Sequence, residues 1–315
     1  MKKYLPIVLA VLVLGIVTMI VVNKKNESVK KVLKPTVHNI GNFSKIKGCA
    51  RPPKLLQRLR IPQPVIIDLT QKKYKGIALH FGKNFEKVLH QEQWKQYEHF
   101  STYTADEKGN IYLVPTPFIS IHPTTFNLQK NIYKLESTTG KLSIFMHFDD
   151  VKPTSTNPYG MNAIAYDCED KTLWAAAIDE SDYGTQKGVI YHIDPQTKEI
   201  LQKVEGLDVL SMAIIKTEQG KYLLVGSARD NALYSYSIEK GKLSNIPKKL
   251  LELPSINEHI RKIKVKENNM LELQSIPFSY ALIAQTAKQD RTFYDAHWDN
   301  EKMVWKTSKK QQTVD

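Results

Sequence analysis

Three stretches of the chain share one pattern, and that pattern limits the fold more than any other feature. Asn131-Ile-Tyr-Lys-Leu-Glu136 leads into Thr139-Gly-Lys141, Val189-Ile-Tyr-His-Ile-Asp194 into Pro195-Gln-Thr-Lys198, and Ala232-Leu-Tyr-Ser-Tyr-Ser237 into Glu239-Lys-Gly-Lys242. Each reads as an alternating strand, a polar turn and the start of another strand. Self-similarity at a fixed period is the mark of a repeat architecture.

Upstream of each stretch lies a hairpin pattern. Thr102 to Asp106 turns through Glu107-Lys-Gly109 into Asn110 to Val114, and Met161 to Asp167 turns through Cys168-Glu-Asp170 into Lys171 to Ala177. Ser211 to Lys216 turns through Thr217 to Gly220 into Lys221 to Val225, and Ile260 to Val265 turns through Lys266 to Asn269 into Met270 to Leu273. An apolar run, a short polar turn and a second apolar run make a hairpin signature. The turns sit near residues 108, 169, 218 and 268, a spacing long enough for four strands each. A single four-stranded sheet has two faces and cannot bury both by itself. Packed radially, neighbouring sheets cover one another and leave only short edges. The expected fold is therefore all-β, a β-propeller of five or six four-stranded blades over residues 60–308. Val65 to Leu69 and Lys75 to Phe81 open the first unit, with Phe85 to His90 and Gln93 to Phe100 completing it. Val65 to Leu69 is also a candidate for pairing into the last blade and closing the ring. The small residues Ala175 to Ala177 and Gly226-Ser-Ala228 suit crowded inner strands.

The 315-residue chain is 42% apolar and 24% charged, enough for a substantial core. Of its formal charge of +13, the first 34 residues carry +6, from seven Lys and one Glu. The rest of the chain is only mildly basic. It has no dense Lys/Arg run with interleaved aromatics, so nucleic acid is not an expected partner.

The amino terminus carries the second constraint. Lys2 and Lys3 precede Leu5 to Val22, 18 residues without a charge, about the minimum for crossing a hydrocarbon core. No small-x-small triplet suggests processing near its end, and no Cys follows for lipid attachment. Residues 1–22 are expected to be a transmembrane helix acting as an uncleaved anchor, with a cleaved secretory signal as the alternative. Residues 23–59 read as a Lys-rich stalk or linker, and 309–315 as a polar tail. Five Lys follow the apolar run against two before it, which by loop charge alone favours a cytoplasmic domain. Large domains are exported regardless of such charge, and the Met1-Lys-Lys-Tyr-Leu-Pro6 start is similar to bacterial export signals. The expectation is a single-pass protein of a bacterial-type cell membrane with an extracytoplasmic domain. Cys49 and Cys168 fit that setting as a candidate disulfide, or stand as two free thiols. Their spacing is not that of a metal site.

Asn157-Pro-Tyr-Gly-Met-Asn-Ala-Ile-Ala-Tyr-Asp167, followed by Lys171-Thr-Leu-Trp174, resembles a repeat of the senescence-marker-protein/gluconolactonase-like family. Ala105-Asp-Glu-Lys-Gly-Asn-Ile-Tyr-Leu113 also looks like NHL-type propellers. The resemblance covers about half the chain and implies the propeller fold. The lactonases of that family hold a divalent metal in the channel with acidic and Asn side chains, a set suited to a hard cation that activates water. Here the family's Pro-Asn-Gly reads Pro158-Tyr-Gly160, so Tyr159 stands where a ligand Asn would be. The expected Pro-Asp-Gly-Met reads Val209-Leu-Ser-Met212. The metal-ligand motifs are therefore not retained. No cofactor is expected, and a divalent metal is the lesser alternative.

Other chemistry is sparse. No Gly-x-Ser-x-Gly elbow, phosphate-binding Gly loop or paired-His metal spacing occurs, and no catalytic residue can be assigned. Candidate ligand-binding residues lie at strand ends: Asn157, Tyr159 and Asn162, and the Arg229, Asp230 and Asn231 run, where a guanidinium, a carboxylate and an amide could orient a polar ligand. The cluster Asp179, Glu180 and Asp182 reads as a solvated loop or a cation contact. The segment Pro115 to Phe126 reads as a binding loop or an end cap. The recurrent Tyr133, Tyr191 and Tyr234 read as packing between blades. The sequence points to an extracytoplasmic module that binds an unknown protein or small molecule. A lactonase-like or other hydrolase with its site in the central channel is the alternative.

Overall fold

The computed structural model describes residues 38–44, 48–69, 73–97, 99–117, 126–281 and 290–310. The expected membrane helix lies outside the described residues. Among those residues, no helix is long and apolar enough to cross a membrane.

Among the described residues, twenty-one strands form five antiparallel sheets. A short strand β1 (Phe43–Ser44) comes first, followed by helix α1 (Lys54–Arg58). Sheet one holds β2 (Ile66–Asp68), β3 (Ala78–Phe81) and β4 (Lys87–Leu89). Sheet two holds β5 (Phe100–Ala105), β6 (Ile111–Pro115), β7 (Asn131–Leu135) and β8 (Leu142–His147). Sheet three holds β9 (Met161–Asp167), β10 (Thr172–Ala177), β11 (Val189–Ile193) and β12 (Ile200–Glu205). Sheet four is built on β13 (Val209–Thr217), β14 (Gly220–Ser227), β15 (Ala232–Glu239) and β17 (Lys248–Glu252). The small β16 (Lys242–Leu243) also pairs with β15. Sheet five holds β18 (Glu258–Val265), β19 (Met270–Pro277), β20 (Thr292–Asp299) and β21 (Val304–Lys309). The count is five, which decides between the five and six expected. The first strands β5, β9, β13 and β18 touch in succession, so they line the centre.

The repeated tyrosines explain why the sheets stack. Tyr133 packs between sheets one and two, Tyr191 between two and three, and Tyr234 between three and four. Thr292-Phe-Tyr-Asp-Ala296 continues the series, with Tyr294 between sheets four and five. Each ring fills the apolar seam while its hydroxyl reaches out of it. Tyr133 donates to Leu128 O, Tyr191 to Asp150, Tyr234 to Asp230 and Tyr294 to Glu258. A buried phenol needs such a partner, so one residue type serves both the packing and the fixing of the adjoining loop.

Sheet one departs from the expected unit. Its β4 is followed not by a fourth strand but by a 3-10 helix, Glu92–Tyr97. That helix buries Trp94 completely and lets its indole N–H donate to Gly140 O at 2.8 Å. β2 pairs with β3 inside sheet one, and sheet five is complete without it, so Val65 to Leu69 does not close the last blade. Sheet five packs Ile260, Leu271, Leu273, Tyr294 and Ala296 against sheet four. Its other face carries Lys262, Lys264, Glu272, Asp295 and His297. There Lys310 bridges Glu272 at 2.5 Å and Asp295 at 3.1 Å. Among the described residues, no apolar cluster joins sheet five to sheet one.

A different device ties the sheets together. The stretch expected as a linker over 23–59 is structured in its second half and runs along the hairpin-turn end. Phe43 pairs with Thr217 of sheet four. Cys49 is disulfide-bonded to Cys168 in the first turn of sheet three, with Cα atoms 5.7 Å apart. Arg51 N–H donates to Asp106 O and Leu55 N–H to Ser137 O, both in turns of sheet two. Leu55 and Leu56 then enter the core between sheets one and two. Beside the disulfide, Lys221 of sheet four grips Asp167 at 2.8 Å and Asp170 at 2.6 Å.

A defect recurs at the opposite end. The first and second strands slip register in sheets two to five, leaving Ser101, Asn162, Leu210 and Arg261 as the extra residues. A bulge kinks the strand and re-aims a side chain. These four equivalent bulges ring the centre near one end.

Candidate functional site: the channel mouth

The bulged strand starts and the loops after the second strands build one mouth. Side chains at or beside the bulges brace neighbouring sheets. Ser101 Oγ donates to Asn162 O at 3.3 Å, and Asn162 Nδ2 donates to Val209 O at 3.0 Å. Ser211 Oγ donates to Ile260 O at 2.7 Å, and Arg261 Nη1 donates to Leu210 O at 2.8 Å. The inner strands are thus laced together by side chains across their splayed ends.

Above them sits an aromatic cluster. Phe278 contacts Tyr159 and Tyr280, with ring centroids 5.2 and 5.3 Å apart, and Tyr183 meets Tyr280 edge-on at 5.4 Å. Ile178, Leu210 and Ala228 lie buried beneath. Tyr280 is fixed by Asp208, a fully buried carboxylate. Asp208 Oδ2 accepts from Tyr280 OH at 2.5 Å and Oδ1 from Ser181 Oγ at 2.6 Å. Burial pushes the Asp208 carboxyl above the usual range, and the Ser181 and Tyr280 hydroxyls and the Gly188 N–H offset only part of that. Tyr280 is pushed up by its own burial and by that carboxylate.

The residues expected to bind a ligand divide by what they hold. Asn157 Nδ2 donates to Ser181 O at 2.7 Å, and Arg229 donates from both terminal nitrogens to Asp182 O and Tyr183 O. Asn157 and Arg229 therefore grip one loop, 178–188, from two sides. Tyr159 lies in the aromatic cluster with its hydroxyl pKa raised by burial. Asn162 spans two inner strands. Asp230 accepts from Tyr234 OH at 2.7 Å, and Asn231 donates to Leu253 O, so this pair serves the edge of sheet four. Most of the expected amides and acids thus spend their polar atoms on the protein itself. Asp179 accepts from Lys152 N–H at 2.6 Å, and Asp182 caps the turn at Gly184 and Thr185. Among the described residues, no three His, Cys, Asp or Glu side chains are grouped to hold a metal ion. Much of the expected loop 115–126 lies outside the described residues.

Sequence reasoning missed Arg261. It sits on the innermost strand of sheet five, ringed by protein yet with partial access to solvent. Burial lowers its proton affinity; nearby Tyr159 works against that, and Arg291 adds to it. The local signal was Ile260-Arg-Lys-Ile263, where two polar residues in a row break the strand's alternation. The same break appears in Phe100-Ser-Thr-Tyr103. Arg291 lines a cleft of about 750 Å³ at the edge of sheet five, with Glu258, Phe293 and Lys309 among its walls. Hydrogen bonds from Tyr294, Ser275 and Thr292 outweigh burial there and hold the Glu258 carboxyl below its usual range.

The sheet order and this mouth define the class of the molecule: it is a five-bladed β-propeller. No known protein family matches the sequence, and no curated protein matches it. Among solved structures it is similar to a glucose dehydrogenase, at 17% identity over 76% of this chain and 80% of that one, with TM-score 0.43. A protein of unknown function from Bacteroides caccae matches at 10% identity over 76% and 85% of the two chains, with TM-score 0.44. The propeller of Dos1 matches at 8% identity over 62% and 70%, with TM-score 0.33. No activity passes to this chain from likenesses at that level.

Proposed function

We propose that the protein is a membrane-anchored, extracytoplasmic propeller that binds a small molecule or a protein segment at its channel mouth, without catalysis. The uninterrupted apolar run from Leu5 to Val22 supports the anchor. The Cys49–Cys168 bond supports an oxidising compartment. The observation that carries the binding reading is the mouth itself. Its rings are exposed in part and Tyr280 is set by a buried hydrogen bond, while the Asn157 and Asn162 amide nitrogens and both Asp208 oxygens are engaged by the protein. Rigid aromatics over a pre-set polar base suit recognition. A hydrolase needs a group free to activate water.

The test is to screen the purified full-length protein against a metabolite panel by thermal shift, alongside lactone, ester and phosphoester turnover assays. Saturable binding without turnover is the expected result. Turnover that disappears on Tyr159→Phe or Arg229→Gln substitution would overturn the reading. For the anchor, the intact mass of protein from the membrane fraction decides: loss of residues 1–22 would refute it.

A further inference from the structure

We infer that the channel mouth recognises an oxyanion, a carboxylate or phosphate group on a small ligand, through the guanidinium of Arg261. This deepens the binding reading above and rests on it. The argument begins with the four equivalent bulges. Three of them hold uncharged residues, Ser101, Asn162 and Leu210, and the fourth holds Arg261. Ser101 and Asn162 use their side chains to lace the strands. A neutral side chain would suffice for the one bond Arg261 makes, Nη1 to Leu210 O at 2.8 Å. Among the described residues, Arg261 forms that hydrogen bond and no ion pair. A guanidinium has five N–H donors in a planar fork, and among the described residues only the Nη1 bond to Leu210 O engages this one.

Placing a cation among protein atoms without an anion is costly. The surroundings deepen that cost. Arg291 stands close enough to oppose its charge. Asp208 is fully buried and already has both oxygens occupied. Partial solvent access then allows a ligand to supply what the protein does not. A planar oxyanion matches the fork in two-point geometry. Tyr159, Phe278 and Tyr183 offer an apolar wall for the rest of the ligand.

The experiment uses the full-length protein with inorganic phosphate and citrate as probes, sodium chloride at matched ionic strength as the salt control, and glucose as a neutral control. Binding is read by calorimetry and thermal shift. Phosphate or citrate should bind saturably beyond the chloride effect. Arg261→Gln should weaken that binding at least tenfold, and Lys262→Gln, an exposed neighbour on the same strand, should leave it within twofold. Should the Gln variant fail to fold, Arg261→Lys keeps the charge but not the fork and should still weaken binding severalfold. Equal responses to chloride and to both probes would overturn the inference, as would unchanged binding in the Arg261 variants. Saturable binding of neutral ligands with no anion response would remove this inference and leave the binding reading standing. Turnover with Arg261-dependent anion binding would do the reverse.

Discussion

The Trp174 indole lies flat on the His192 imidazole, with ring centroids 3.8 Å apart and planes 5° from parallel. Nε2 of His192 meets Thr172 Oγ1 at 2.8 Å. The stack sits inside sheet three, where a charged imidazolium has little solvation. Burial lowers the His192 pKa, and Asp170 and Asp167 offset this only in part. His259, near Phe278 at the mouth, is also lowered by burial.

Acidification should therefore destabilise the domain through histidine. A group whose folded pKa lies below its unfolded value of 6.5 contributes stability that is present above that pH. The contribution is lost as pH falls through the folded pKa, because the unfolded chain binds the proton more readily. Urea midpoints measured from pH 7.5 to 5 should fall, and His192→Gln should flatten part of the slope. A His192→Gln profile as steep as the wild type would show that this ring is not one of the groups responsible.

The tyrosine series predicts graded losses. Tyr294→Phe removes one of three side-chain donors to Glu258 and keeps the ring, and should cost about 1 kcal/mol. Tyr191→Ala empties the seam between sheets two and three and should cost roughly 3–5 kcal/mol. Chemical denaturation at neutral pH separates the two effects.

Asp208 predicts a contrast between two substitutions. Asp208→Ala strands the Ser181 and Tyr280 hydroxyls in a buried site and should cost roughly 2–3 kcal/mol. Asp208→Asn keeps an acceptor and should cost about half of that. It should also remove a pH slope of the opposite sign to that of His192. The wild-type carboxyl is raised by burial, so its contribution declines as pH rises above the unfolded value of 3.8.

Reduction should loosen the turn end. Thiol titration of the unfolded, unreduced protein should find none of the two Cys reactive. Cys49→Ser with Cys168→Ser should lower stability by roughly 2–4 kcal/mol, since the bond closes a loop with a sequence separation of 119.

Much of the scaffold could be read from the chain because its chemistry is local. The hairpins around Gly109, Asp170, Gly220 and Asn269 are set by turn residues next to alternating strands, and each one falls in a separate sheet. The Tyr-centred repeat was legible for three strands. It is obscured at Tyr294, whose flanking Phe293 and Asp295 lack the aliphatic frame of the others. Sheet one was harder: the 3-10 helix takes the place of a strand because Trp94 packs against sheet two, a tertiary choice that leaves no periodicity. The mouth was the least legible. Asn157 and Arg229 look available in sequence, and only the fold reveals that loop 178–188 occupies them. Arg261 reads as an ordinary strand residue because a bulge, not its own identity, brings it against Leu210 of the neighbouring inner strand.

The segment from Phe43 to Leu56 has a mechanical consequence. It crosses the turns of sheets four, three and two before entering the core beside sheet one. Tension arriving along the backbone from the amino-terminal side meets the short β1 pairing first and then a covalent sulfur bridge. That bridge passes the load into the base of sheet three. The seams between sheets and the laced rim at the far end are left out of the force path. A pull strong enough to peel β1 would lengthen the leash and stop at Cys49, with the channel mouth undisturbed.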